Sequence, residues 1–191
     1  MRARLGSERA YSLVEMLTVM SIMSVVLGAL TTLFVQASNA ELDMNNRFQA
    51  QQTARVALDK MRREVHCASS AATTPATGQA PAVTLDMPLH CPTGSGSVTW
   101  CTVSVSANRY ALHRKVGATC DATGVKWADY LTEANLFNYR PQATDALPRL
   151  RVHFPVDVDT TDATPVYTLC DQISMRNSTR VGSTAVVLPS C

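Results

Sequence analysis

A stretch of 25 consecutive residues, 16–40, carries no charged side chain, and a single acid, Glu15, stands directly in front of it. Residues 16–35 are predominantly apolar, and a helix needs about 20 such residues to cross the core of a bilayer. The preceding residues, 1–10, hold Arg2, Arg4 and Arg9 against one acid, Glu8. A basic flank ahead of a span keeps the N-terminus cytoplasmic and exports the chain beyond the span. An ordinary secretory signal has an apolar core of about 7–15 residues, shorter than this one. The Ala-Ser-Asn-Ala at 37–40 could mimic its cleavage site, but the helical pattern continues past it without a break. A plain signal anchor accounts for the span and leaves Glu15 unexplained. An acid at the head of a span costs on the order of a few kcal/mol unless it finds a partner, which marks Glu15 as functional.

Beyond the span, residues 41–68 contain neither Pro nor Gly. Ala54, Leu58, Met61, Val65 and Ala68 recur at spacings of three and four, placing them on one helical face. Asp59 and Arg63 are spaced as an i,i+4 ion pair. A single helix over residues 12–67 would be roughly 80 Å long. Its second half needs a partner for the apolar stripe. The stripe is short and rich in Ala, and the sequence downstream reads as strands, so a sheet is expected to cover it rather than a second helix.

The composition changes after Cys67. Residues 69–82 are rich in Ser, Ala, Thr and Pro and read as a loop, with Pro75, Gly78 and Pro81. Strand patterns appear at 83–87, 98–106, 109–116, 150–158, 166–175 and 185–188. The pair 98–106 and 109–116 reads as a hairpin about Ala107-Asn108, with Val103 opposite Leu112 and Val105 opposite Tyr110. The expected architecture is α+β: a long N-terminal helix, transmembrane in its first half, packed on a C-terminal antiparallel sheet. The chain divides into a leader at 1–10, a span at 11–35, an exported helix half at 36–68 and a β-rich head at 69–191.

The segment Ala10-Tyr-Ser-Leu-Val-Glu-Met-Leu-Thr-Val resembles the processing signal of type IV prepilins and type II secretion pseudopilins. In that family a short basic leader ends in a small residue, a hydrophobic or aromatic residue comes next, and a Glu lies five residues into the mature chain. The resemblance makes Ala10 the last residue of the leader, in place of the commoner Gly. It makes Tyr11 the first mature residue and the site of N-methylation, in place of the commoner Phe. Glu15 becomes the acid that pairs with the amino terminus of a neighbouring subunit during assembly. Gly6 as the leader's end would put Tyr11 at the acid's position, so that register fails. The implied partners are a prepilin peptidase, other pilin or pseudopilin subunits and the membrane. The implied location is the cytoplasmic membrane, single-pass, with the head outside or in the periplasm and a filament after assembly. Trp100 to Arg114 and the helix segment 54–64 are similar, more loosely, to the minor pilins that include pseudopilin J and the W-type subunits.

Six cysteines, Cys67, Cys91, Cys101, Cys120, Cys170 and Cys191, all lie beyond the span. An even number in an exported domain reads as disulfides: Cys170 with Cys191, and pairs among the other four. The steps His66-Cys67 and His90-Cys91 invite a metal, but neither is a chelating pair at helical spacing, and no metal or other cofactor is expected. Asp157, Asp159 and Asp162 lack the Gly and terminal Glu of a calcium loop and read as a polar turn. A net charge of +2 argues against binding nucleic acid through bulk charge. Trp100, Trp127, Tyr130 and Tyr139 could stack on DNA bases, so a tip adhesin or DNA-uptake receptor on the same scaffold is the alternative to a structural subunit. No nucleophile elbow, phosphate loop or metal-binding helix motif points to a membrane-anchored enzyme.

Overall fold

The computed structural model describes residues 12–75, 79–143, 146–158 and 167–178. Helix α1 spans Leu13–Cys67, as the absence of helix breakers from residue 41 onward allows. The chain forms two compact units, Met1–Asn45 and Asn46–Cys191. In the first, α1 is long and apolar enough to cross a membrane, and none of that apolar window is buried.

In the second unit, the face of α1 carrying Ala54, Leu58, Met61, Val65 and, just past its end, Ala68 is buried, together with Ala50 and Ala57. The small residues bring the helix axis close to the sheet, and Met61 and Val65 enter the core. Each such large side chain contributes about 1.5–3 kcal/mol by leaving water.

The sheet has nine strands: β1 (Ser70–Thr74), β2 (Gln79–Ala80), β3 (Ala82–Met87), β4 (Gly96–Ser106), β5 (Arg109–Val116), β6 (Val125–Leu131), β7 (Phe137–Arg140), β8 (Arg149–Val156) and β9 (Tyr167–Ser174). The order is β1-β3-β4-β5-β6-β8-β7-β2, with β9 also paired to β8, and every pairing is antiparallel. Alternate residues of β8, namely Leu150, Val152, Phe154 and Val156, face the core with Trp100, Phe137 and Ile173.

Four expectations are corrected. The stretch 69–82 is not simply a loop, because it supplies β1 and β2. Its Ser, Ala and Thr carry no apolar alternation that would mark a strand. Strands β6 and β7 also lie outside the strand patterns of the sequence. The β4–β5 register is one residue off that of a plain two-residue turn: Thr102 faces Leu112, Val103 faces Ala111 and Ser104 faces Tyr110. A bulge between Ser104 and Ser106 takes up the difference, and Val105 is 53% exposed instead of facing inward. Finally, Arg63 does not pair with the Asp59 carboxylate. Its Nε donates to the Asp59 carbonyl at 3.3 Å, while that carboxylate accepts from Arg62 Nη1 at 2.9 Å. The strand expected at 185–188 lies outside the described residues.

Candidate functional site

Between Leu13 and Val35 every large apolar side chain is exposed, from 47% at Val26 to 76% at Leu13. That much apolar surface needs lipid or other helices around it. The polar side chains interrupting it are satisfied within the helix. Thr18 donates to the Glu15 carbonyl at 2.9 Å, Ser21 to Thr18 at 2.8 Å, Ser24 to Ser21 at 2.8 Å, and Thr31 to Leu27 at 2.7 Å. A hydroxyl bonded in this way enters hydrocarbon without an unmet donor. Glu15 differs. It lies in the first turn of α1, exposed, and its carboxylate has no partner among the described residues. An acid near a helix N-terminus is favoured by the helix dipole, but this one still needs a cation if it is to sit in a bilayer. Ala10 and Tyr11 lie outside the described residues.

The other half of α1 carries the opposite arrangement, an acid with a full set of partners. Glu64 is completely buried. Its Oε2 accepts from Trp100 Nε1 at 2.8 Å, its Oε1 from Arg114 Nε at 2.9 Å and Nη2 at 2.8 Å, and Lys60 Nζ lies 3.2 Å from Oε1. Trp100 and Arg114 are register partners on β4 and β5. The helix segment and the strand pair noted separately in the sequence therefore meet at one carboxylate. A buried ion pair gives little net stability over an apolar substitute, but it is costly to break and can fix register. Two more side chains tie the same helix to β9. Arg62 donates from Nε and Nη2 to Asp171 Oδ2 at 3.0 and 2.8 Å, and Arg55 Nη2 donates to Tyr167 Oη at 2.9 Å. The bond to Asp171 raises the Arg62 pKa further.

A second charged cluster sits on β6. Asp129 accepts from Arg109 Nε at 3.1 Å, from Lys126 Nζ at 3.0 Å and from Tyr130 N–H at 2.8 Å. Burial works against the Asp129 charge, but these bonds outweigh it and hold the carboxyl below its ordinary range. Tyr130 has φ of 62°, in the left-handed region that β-branched and aromatic residues avoid. The Asp129 carboxylate on its N–H, the bond from Asp157 N–H to its carbonyl at 2.9 Å, and Arg109 stacked 3.9 Å from its ring centre hold it there.

The cysteines and aromatic residues take structural places. Cys67 is joined to Cys91 and Cys101 to Cys120. Both His-Cys steps are thus drawn together, but with their thiols consumed in a disulfide rather than held as thiolates for a metal. Cys170 is also disulfide-bonded; Cys191 lies outside the described residues. Asp157 is buried 4.0 Å from Arg47, while Asp159 and Asp162 lie outside the described residues. Trp100 is fully buried and packs against Trp127 at 5.8 Å, Tyr130 is covered by Arg109, and burial raises the Tyr139 pKa despite a bond with the Ala71 backbone. Trp100 is therefore not available to stack on a base. Among the described residues, no three His, Cys, Asp or Glu side chains gather as metal ligands would. Only Lys60 is a local partner of Glu64, four residues back on the helix; Trp100 and Arg114 lie 36 and 50 positions away, which hides the junction from local patterns.

No curated protein and no solved structure matches the chain. The family profile of the prokaryotic N-terminal methylation motif matches residues 5–31, covering the end of the basic flank with Arg9, Glu15 and most of the apolar run. With this segment, the long apolar helix and the nine-stranded antiparallel sheet, the chain carries the type IV pilin and pseudopilin signature on a pilin-like α+β architecture.

Proposed function

We propose that this protein is a minor pilin or pseudopilin. A prepilin peptidase cuts it after Ala10, Tyr11 is N-methylated, and the mature chain assembles through α1 into a type IV pilus or a type II secretion-like filament. The observation that carries this reading is the methylation motif at 5–31, lying over the first half of α1, where every large apolar side chain between Leu13 and Val35 is exposed. Cutting on the cytoplasmic side keeps the apolar helix in the product. The new amino group on Tyr11 is a cation at the bilayer edge. Glu15 needs such a cation, and its own chain cannot readily supply one across four residues of helix. Pairing Glu15 with the amino terminus of the adjacent subunit neutralises both charges and fixes the stagger between helices.

The experiment is the intact mass of the mature protein from its membrane. A chain starting at Tyr11 with one added methyl group is expected. A retained Met1, or a chain starting at Glu41 after removal of the whole span, overturns the reading.

A further inference from the structure

We propose that the concavity beside the last two turns of α1 docks an acidic side chain of a partner polypeptide. It measures about 550 Å³ and is lined by Lys60, Arg63, His66, Cys67, Pro92 and Thr93. That is far more than a single ion or water needs.

Among the described residues its lining contains Lys60, Arg63 and His66 and no acid. Lys60 shares the Glu64 carboxylate with Arg114, so two cations face one anion. Among the described residues Arg63 bonds only a backbone carbonyl, since the Asp59 carboxylate is taken by Arg62. His66 Nδ1 lies 2.8 Å from the Ser174 carbonyl, which can only accept, so Nδ1 carries the hydrogen and the ring is held at the edge of the concavity. Lys60 and Arg63 are not needed to cap the helix. The His66 carbonyl already accepts from Arg176 N–H at 3.3 Å and the Cys67 carbonyl from Asn177 Nδ2 at 3.2 Å.

The opposite wall is apolar and fixed. The Cys67–Cys91 disulfide clamps the 91–94 turn to the helix. Within it, Cys91 N–H donates to the Pro88 carbonyl and Gly94 N–H to the Cys91 carbonyl, each at 3.1 Å. In this wall the Thr93 hydroxyl is buried without a hydrogen-bond partner. A cationic rim over an apolar wall fits a carboxylate carried on a short methylene stem, which is a Glu or Asp side chain. The concavity lies wholly within the unit Asn46–Cys191, so its ligand can be tested whether or not the chain enters a filament.

The test uses the full chain in nonionic detergent and a rhodamine-labelled peptide with a central Glu-Glu, monitored by fluorescence anisotropy. A Gln-Gln peptide and inorganic phosphate serve as controls. The Glu-Glu peptide is expected to bind, with Arg63→Glu weakening it about tenfold or more. Arg63 is exposed and makes only the one backbone bond, so this variant keeps the fold. Separately, the Cys67→Ser/Cys91→Ser pair is expected to weaken binding by freeing the wall. Equal binding of the Gln-Gln peptide, no response to Arg63→Glu, or no binding at all overturns the proposal. So does displacement of the peptide by an equal concentration of phosphate, which would reduce the site to an unselective anion patch.

Discussion

Trp100 Nε1 and Glu64 Oε2 lie 2.8 Å apart with both side chains fully buried, joining the centre of β4 to α1. Removing the carboxylate strands the Arg114 cation and the Trp100 donor together. Glu64→Ala is expected to destabilise the head by about 3–5 kcal/mol. Trp100→Phe keeps most of the packing and loses only one donor, for about 1.5–3 kcal/mol because the acceptor is a carboxylate. Urea unfolding in detergent, monitored by circular dichroism, measures both. Equal losses would show that packing, not the carboxylate, holds the joint.

Ala54 and Ala57 are completely buried against the sheet. A larger side chain has to push the helix away. Ala57→Leu is expected to cost about 1–3 kcal/mol although it adds apolar area. Val56→Leu, on the exposed face of the same turn, is expected to change little. A stabilised Ala57→Leu variant would mean that the helix sits further from the sheet than described.

Acid should loosen the β5–β6 corner. The Asp129 pKa is lower folded than unfolded, so its contribution is present above the ordinary Asp range and is lost as pH falls through the folded value. The decline therefore starts near pH ~4 and completes below it. Asp129→Asn is expected to be less stable than the parent at neutral pH and to flatten that part of the stability profile. An acid limb of unchanged steepness in the variant would assign the effect to other carboxylates.

Glu15→Ala removes an acid that has no partner among the described residues. The variant is expected to be processed normally and to enter filaments poorly. Quantifying mature chain in membranes against chain in sheared filaments separates the two steps. Normal incorporation would remove the pairing role from Glu15.

The helix and its buried stripe are legible in the sequence because their signals are periodic and local: one apolar run, one acid, and residues at spacings of three and four. The head is most legible where apolar residues alternate along the strand, as in β8 with Leu150, Val152, Phe154 and Val156. β6 escapes because it carries extra residues opposite β5. Three steps along β6, from Ala128 to Leu131, match the two between Leu112 and Tyr110, and two steps, from Lys126 to Ala128, match the single step from Leu112 to His113. Such bulges erase a period of two. The same effect at Val105 displaces the β4–β5 register, since one extra residue moves every later side chain to the other face. Glu64 is readable as a helix residue but not as a joint, since its burial depends on strands folded over it from far along the chain.

The Cys67–Cys91 bond starts at the last residue of α1 and ends beyond β3. It closes β1, β2 and β3 into a covalent loop. Tension pulled along α1 against any anchor point after Cys91 passes straight across the bond and leaves those strands slack. The first strands after the helix, which would otherwise be the first to unzip under load, are thereby removed from the mechanical path, and the resistance of the head to stretching is set by β4 onward.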